Sequence, residues 1–349
     1  MIKDARLAGF EDHVDAKKQH AVDRKVEDLQ SEIATWKNRY NQLRVDAEEM
    51  ERRLELVSDL ESVPITRHRI DPLPAGDGKG EATAIAMLSD VHPFSRVRPD
   101  TVNGVNEFTP EICSKRLGRF FKGLLRLTEI ERYGQNIPNL LLHLGGDMIG
   151  NQIHEELKES NYGTPQEELL FMLEHIGSGL EFLLSEGGFK TITVPCSHGN
   201  HDRNTRRKQF ENQAEQALTW VLYHMLKREF KDRVKFIIAA GYHQIVEVYG
   251  KKLRFHHGDA VMYNGGIGGP TIPINKAIAE WNKTEPVDYD FFGHFHQAIS
   301  GGRFFVNGSV VGYSTYALEK KCPFELPRQW YVLLDKKRGV TSQRFIYLD

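Results

Sequence analysis

Five short segments of this 349-residue chain crowd carboxylates, imidazoles and one amide against glycine: Asp90-Val-His92, Gly146-Asp147, Gly199-Asn-His-Asp202, His257-Gly-Asp259 and Gly293-His-Phe-His296. Each ends an apolar run of the kind that forms a strand. Oxygen and imidazole nitrogen without thiolate is a donor set suited to Mn²⁺, Fe or Zn²⁺. Pairs of such motifs could bind one metal ion or two neighbouring ones. In an α/β sheet the carboxyl ends of the strands open on one crevice, so segments far apart in the chain can meet there. On an extended chain Asp-x-His and His-x-His send both side chains the same way, whereas His256 points away from His257 and is left out. One Asp-x-His or Gly-Asp is common by chance; the five together, in this order, are not.

The elements that must position these groups alternate from residue 82 onward. Apolar runs ("ATAIAMLSD", "NLLLHLGGD", "KTITVPCS") are separated by amphipathic stretches ("ICSKRLGRFFKGLLRLTEIER", "EELLFMLEHIGSGLEFLLSEG", "ENQAEQALTWVLYHMLKREF"), giving β, α, β, α, β, α. After Lys235 the pattern turns to short strands, with one helix expected over Pro273 to Trp281. This part spans 81–349. Residues 62–80, with three prolines and three glycines, are expected to form a linker.

Residues 1–61 differ in kind. Apolar residues recur in alternating steps of four and three, with Val26, Ile33, Tyr40, Ala47 and Leu54 at a and Val22, Leu29, Trp36, Leu43, Met50 and Val57 at d. About five such heptads predict a coiled coil and a homo-oligomer through residues 22–57. A single amphipathic helix lying on its own domain is the alternative. Trp36 and Tyr40 are bulky for a tight dimer seam, which leaves strand number and direction open.

Composition narrows the classes. A net charge of −2 excludes coating of nucleic acid by bulk positive charge, so any phosphate site must be local. The three cysteines are isolated, without disulfide or thiolate-cage spacing, which fits a reducing cytoplasm. No signal-peptide core or membrane span is expected.

The motif series resembles the calcineurin-like metallophosphoesterase superfamily, whose pattern is DxH, GDxx(D/G), GNH(D/E), His-Gly and GHxH. The resemblance covers most of residues 82–311. "GDMIGNQIHEEL" and "VNGSVVGYSTYA" also resemble the metallophosphoesterases of tailed bacteriophages, which would place the protein in a host bacterial cytoplasm. The resemblance implies a four-layer α/β/β/α sandwich with two mixed sheets, here preceded by the coiled-coil helix. It implies two divalent ions, Mn²⁺ first. One would be held by Asp90, His92, Asp147 and His296; Asp147 would bridge to a second, held by Asn200, His257 and His294. It makes His201 the catalytic histidine, helping the leaving oxygen depart or contacting the phosphoryl group, and Asp202 the group that orients it, with a simple turn-stabilising aspartate as the rival reading of Asp202.

His154 could reach substrate from the loop after Asp147, with a surface position as the rival. Arg203, Arg206, Arg207 and Lys208 are candidate phosphate contacts, with a solvated basic helix start as theirs. The implied reaction is hydrolysis of a phosphodiester by metal-activated hydroxide, with nucleic acid as the leading substrate. "GDMIGN" and "GNHD" depart from the GDxVDRG and GNHE of protein phosphatases. Two alternatives stand: a hydrolase of cyclic nucleotides or nucleotide pyrophosphates, and a coiled-coil assembly protein whose metal site is structural.

Overall fold

A computed structural model describes residues 2–62, 80–152, 161–263 and 269–349. Most of the expected linker, and His154, lie outside the described residues. The chain divides into two compact units, Met1–Ala75 and Gly76–Asp349.

The first unit holds one helix, α1 (Ile2–Ser62). No proline interrupts this span, strong helix formers fill it, and Pro64 follows its end. Exposed i,i+4 pairs run along it, among them Gln42–Asp46 and Arg53–Glu49. The apolar residues at a and d from Val22 to Leu54 are unburied: Val26 is 45% exposed, Trp36 65% and Tyr40 69%.

The second unit stacks four layers. Its strands are β1 (Gly80–Leu88), β2 (Gln135–Leu144), β3 (Thr191–Cys196), β4 (Lys235–Ile238), β5 (Gln244–Val248), β6 (Lys251–Phe255), β7 (Tyr289–Phe292), β8 (Ile299–Ser300), β9 (Phe304–Val306), β10 (Arg328–Asp335) and β11 (Gly339–Tyr347). Among the described residues they form two sheets, ordered β11-β10-β1-β2-β3-β4 and β5-β6-β7-β9-β8. Both are mixed: β1 to β4 run parallel, β10 pairs antiparallel with β1 and β11 antiparallel with β10, and β6, β7 and β9 run parallel between antiparallel β5 and β8.

Alternation along β1 assigns the layers. Ala82, Ala84, Ala86 and Leu88 face a core shared with α2 (Pro110–Arg132), α3 (Pro165–Glu186) and α4 (Leu218–Phe230). Ile85 and Met87, on the other face, meet Phe255, Phe291, Phe305 and Trp330 between the two sheets. The outer face of the second sheet packs Phe292, Phe304 and Val306 on Ile274 of α5 (Thr271–Trp281). The small alanines of β1 let the helices approach, while the aromatic layer keeps the sheets apart. This is the expected α/β/β/α sandwich.

Local signals set the helix starts. Thr109 caps α2 ahead of Pro110, and Thr164 with Glu167 forms a reciprocal capping box for α3. One expected start moves: the stretch "ENQAEQALTWVLYHMLKREF" is helical only from Leu218. Residues 203–217 are instead held as a closed loop, by the Arg203–Ala217 bridge and by Leu218 N–H donating to the Asp202 carbonyl. Among the described residues, no helix is long and apolar enough to cross a membrane.

Candidate metal centre

Every motif sits just past the carboxyl end of a parallel strand: Asp90 and His92 after β1, Asp147 after β2, Asn200 to Asp202 after β3, His257 after β6, and His294 and His296 after β7. The convergence has a different local cause from the expected extended alternation. Asp90, His92, Asp147, His294 and His296 all lie in the left-handed region, with φ between 40° and 73°. Tight turns, not pleats, aim these side chains inward. Non-glycine residues in this region are uncommon and cluster where geometry serves a site.

Two groups of potential ligands result: Asp90, His92 and His296 in one, Asp147, His257 and His294 in the other, each with ligand atoms within 4.8 Å of one another. Asp147 lies between them. Its Oδ2 is 3.7 Å from His92 Nε2 and 3.2 Å from His257 Nε2. Asn200 Oδ1 joins the second group, 3.2 Å from His257 Nε2 and 3.0 Å from His294 Nδ1. In the first group His296 Nε2 is 3.4 Å from Asp90 Oδ1. All seven residues expected as ligands are thus brought together.

The surrounding shell holds them. Ser89 Oγ donates to Asp90 Oδ2 at 2.5 Å, and the His294 backbone N–H donates to Asp90 Oδ1 at 2.9 Å. Asn307 donates to Ser89 Oγ, and Ser309 donates to the Asp90 carbonyl, so "VNGS" supports the first motif from β9. His257 Nδ1 lies 2.9 Å from the Gly145 carbonyl, which only accepts. Nδ1 therefore carries a proton and Nε2 faces the centre. Close backbone approach requires glycine here: a Cβ on Gly146, whose φ is +86°, would fall 2.6 Å from Gly199 N, and one on Gly199 would collide with the Asp147 carboxylate.

Electrostatics suit a cation. Burial raises the Asp90 carboxyl to about 7, with Asp147 adding to the effect. Burial also raises Asp147, but His257 and His201 outweigh it and hold that carboxyl well below its usual range. Burial lowers His257, yet the adjacent Asp147 carboxylate overrides it and lifts the imidazole to about 10. Burial depresses His92 strongly, His294 to about 3 and His296 to about 4, which keeps each imidazole neutral with one nitrogen lone pair available. His92 Nε2 is buried without a hydrogen-bond partner among the described residues. An orphaned imidazole nitrogen facing a carboxylate, in a candidate donor set of nitrogen and oxygen, is the environment of a hard to borderline divalent ion.

The expected catalytic pair divides. His201 lies beside His92, ring centroids 4.9 Å apart, with Nδ1 3.0 Å from the Gly150 carbonyl. Asp202 does not orient it. Its Oδ2 accepts from the backbone N–H groups of Gly199, at 2.6 Å, and Asp147, at 3.1 Å. Asp202 thus ties the second motif to the third and leaves the imidazole to Gly150.

The basic cluster also differs from expectation. Arg203 is turned onto its own loop, donating to the Thr205 and Asn200 carbonyls, and Lys208 pairs with Asp259 at 2.5 Å. Arg206 and Arg207 are exposed. None of these lines the cleft. A cleft of about 500 Å³ opens on His92, Asp147, Asn200, His201, His294 and His296, and its outer wall is Arg96, Ser95 and the Ser314–Glu319 segment with Tyr316.

Arg96 and Tyr316 were not legible as site residues, although "VNGSVVGYSTYA" marked the second segment. Two further residues carry structural weight. Buried Glu168 of α3 accepts from Gly150 and Asn151 N–H, and Asn151 donates to the His201 and Arg203 carbonyls at 2.8 and 2.7 Å. The asparagine in "GDMIGN" was the signal for this clamp.

No protein-family model matches the chain, and no curated protein matches it. Solved structures similar to part of it include a Streptococcus pneumoniae protein described as a predicted phosphoesterase (12% identity, 76% of this chain and 97% of that one, TM-score 0.28). A hypothetical protein of Pyrococcus horikoshii follows (12%, 76% and 88%, TM-score 0.38), as does Vps29 of Chaetomium thermophilum (11%, 77% and 100%, TM-score 0.33). At these TM-scores the likenesses carry no argument about function.

Proposed function

We propose that the chain is a dinuclear-metal-dependent phosphoesterase whose substrate is a nucleic-acid phosphodiester. The observation that carries this reading is the position of Asp147 Oδ2 between two groups of nitrogen and oxygen donors. Asp90, His92, Asp147 and His296 would hold one ion; Asp147, Asn200, His257 and His294 would hold the other. When bound, the ions supply Lewis acidity toward the phosphoryl oxygens and the attacking water.

The chain's own residues do the rest. His201 keeps its Nδ1 proton on the Gly150 carbonyl, so Nε2 is the atom that exchanges a proton with the leaving oxygen. Asp202 and Asn151 hold the turn that carries His201. On the cleft wall, the Arg96 guanidinium suits a phosphate next to the scissile one, and the half-exposed Tyr316 ring suits a stacked base. A monoester needs neither. Arg206 and Arg207 add positive charge outside the cleft. The exposed seam of α1 extends the reading to self-association through residues 22–57, with 81–349 as the catalytic domain. Residence in a bacterial cytoplasm, as a phage product, is part of the same proposal.

The test is turnover with Mn²⁺ on end-labelled single- and double-stranded DNA, beside cyclic dinucleotides and a p-nitrophenyl monoester, with Asp147→Asn as blank. Cleavage of DNA that the blank lacks supports the reading. Turnover of the small substrates alone shifts it to nucleotide hydrolysis, and metallated protein inactive on all of them sinks it.

A further inference from the structure

The direction of the α1 coil can be argued from the side chains flanking its seam. Val22, Val26, Leu29, Ile33, Trp36, Tyr40, Leu43, Met50 and Leu54 are exposed by 45% to 69%. A continuous apolar stripe of this length on a soluble helix requires a covering surface. We propose that residues 22–57 close on a second copy of this chain as an antiparallel two-stranded coil, centred between Asn41 and Gln42. This rests on the self-association reading above and adds the partner's orientation.

Volume favours this pairing. In a parallel, in-register coil each a residue faces its own copy, so Tyr40 meets Tyr40, Ala47 meets Ala47 and, at d, Trp36 meets Trp36. Two overfilled layers would then sit near an underfilled one. In the antiparallel register a faces d: Trp36 meets the second copy's Ala47, Tyr40 its Leu43, Ile33 its Met50 and Leu29 its Leu54. The largest side chain lies opposite the smallest, which evens the layer widths.

Charge favours it independently. The flanking g and e positions hold Glu32, Arg39, Asp46 and Arg53 at g, and Lys37, Arg44 and Glu51 at e, all exposed. A parallel coil sets g against the e of the next heptad. That pairs Glu32 with Lys37 favourably, but sets Arg39 against Arg44 and Asp46 against Glu51. An antiparallel coil sets g against g and e against e. Glu32 then meets the second copy's Arg53 and Arg39 its Asp46, leaving Lys37 against Arg44 as the one like-charge contact. Two-fold symmetry doubles every pair, so attraction outnumbers repulsion two to one in the antiparallel form and the ratio inverts in the parallel one. The 2.5 Å pair that Arg53 makes with Glu49 within one helix is 60% to 75% exposed and competes weakly.

The experiment uses the full chain carrying Cys322→Ser, with a spin label at Ser58→Cys, an exposed e position. Cys113 and Cys196 are buried and stay unlabelled. The antiparallel coil separates the two labels by about 33 residues of helix, about 50 Å. A parallel coil brings them to roughly 10–15 Å. A dimer with the long distance is expected. A dimer or trimer with the short distance overturns the direction while self-association stands; a monomer at micromolar concentration overturns both. Arg39→Asp supplies a second readout: it should weaken association about tenfold and be rescued by Asp46→Arg in the same chain. In a parallel coil Arg39→Asp would face Arg44 and tighten the dimer, the opposite sign.

Discussion

The two units of this chain use the same apolar residue types to opposite ends. Leu88, Ile85 and Trp330 are at most 5% exposed, whereas Leu29, Ile33 and Trp36 are 50% to 65% exposed. In the sandwich the chain covers its own strands with helices on one face and a second sheet on the other, so its core is buried within one copy. In α1 the apolar stripe is one face of a single helix, and only another surface can cover it. The contrast separates the two parts of the proposal: the chemistry is assigned to the unit that closes on itself, and association to the helix that does not.

That separation is open to attack from both sides. The largest effect is expected for Asp147→Asn, which removes the shared carboxylate. Turnover should fall by at least about a thousandfold with loss of bound metal, and dimer mass should not change. His201→Asn comes next, lowering kcat by about 10²–10⁴-fold while metal content, measured by elemental analysis, is retained. Equal metal loss in both variants would remove the role given to His201. On the other side, Ile33→Asp with Leu43→Asp should weaken association at least about a hundredfold in sedimentation, with activity per chain unchanged. A matching fall in activity would show the two units to be coupled. The smallest effect is expected for Arg96→Ala: KM should rise several-fold on oligonucleotides and stay constant on a p-nitrophenyl ester.

What could be read from the sequence followed the range of the interactions. The convergence of the seven residues expected as ligands was legible because each motif is a few residues long and ends a strand, and the sheet order then gathers them. The heptads were legible because every step is local. For Asp202 the resemblance implied a side-chain bond to His201, whereas the turn delivers its carboxylate to two backbone N–H groups, the rival turn-stabilising reading. Arg203 likewise looked like a free cation and spends its donors on its own loop. Arg96 and Tyr316 were hidden because they line one cleft only when the loops after β1 and β9, strands of different sheets, come together. The helix expected from residue 211 failed because its first turn is claimed by the bridge from Arg203 to Ala217.

The left-handed turns at Asp90, His92, Asp147, His294 and His296 have a consequence for evolvability. A non-glycine residue in that conformation costs about 1–2 kcal/mol, so these five positions together work against the folded state. Glycine at His92 or His294 would relax the backbone and is expected to raise the melting temperature of the metal-free chain while removing a donor. A lineage selected for persistence alone would drift toward glycine at these turns. Aspartate and histidine at these turns thus set a backbone cost against the donor atoms that the proposed function requires.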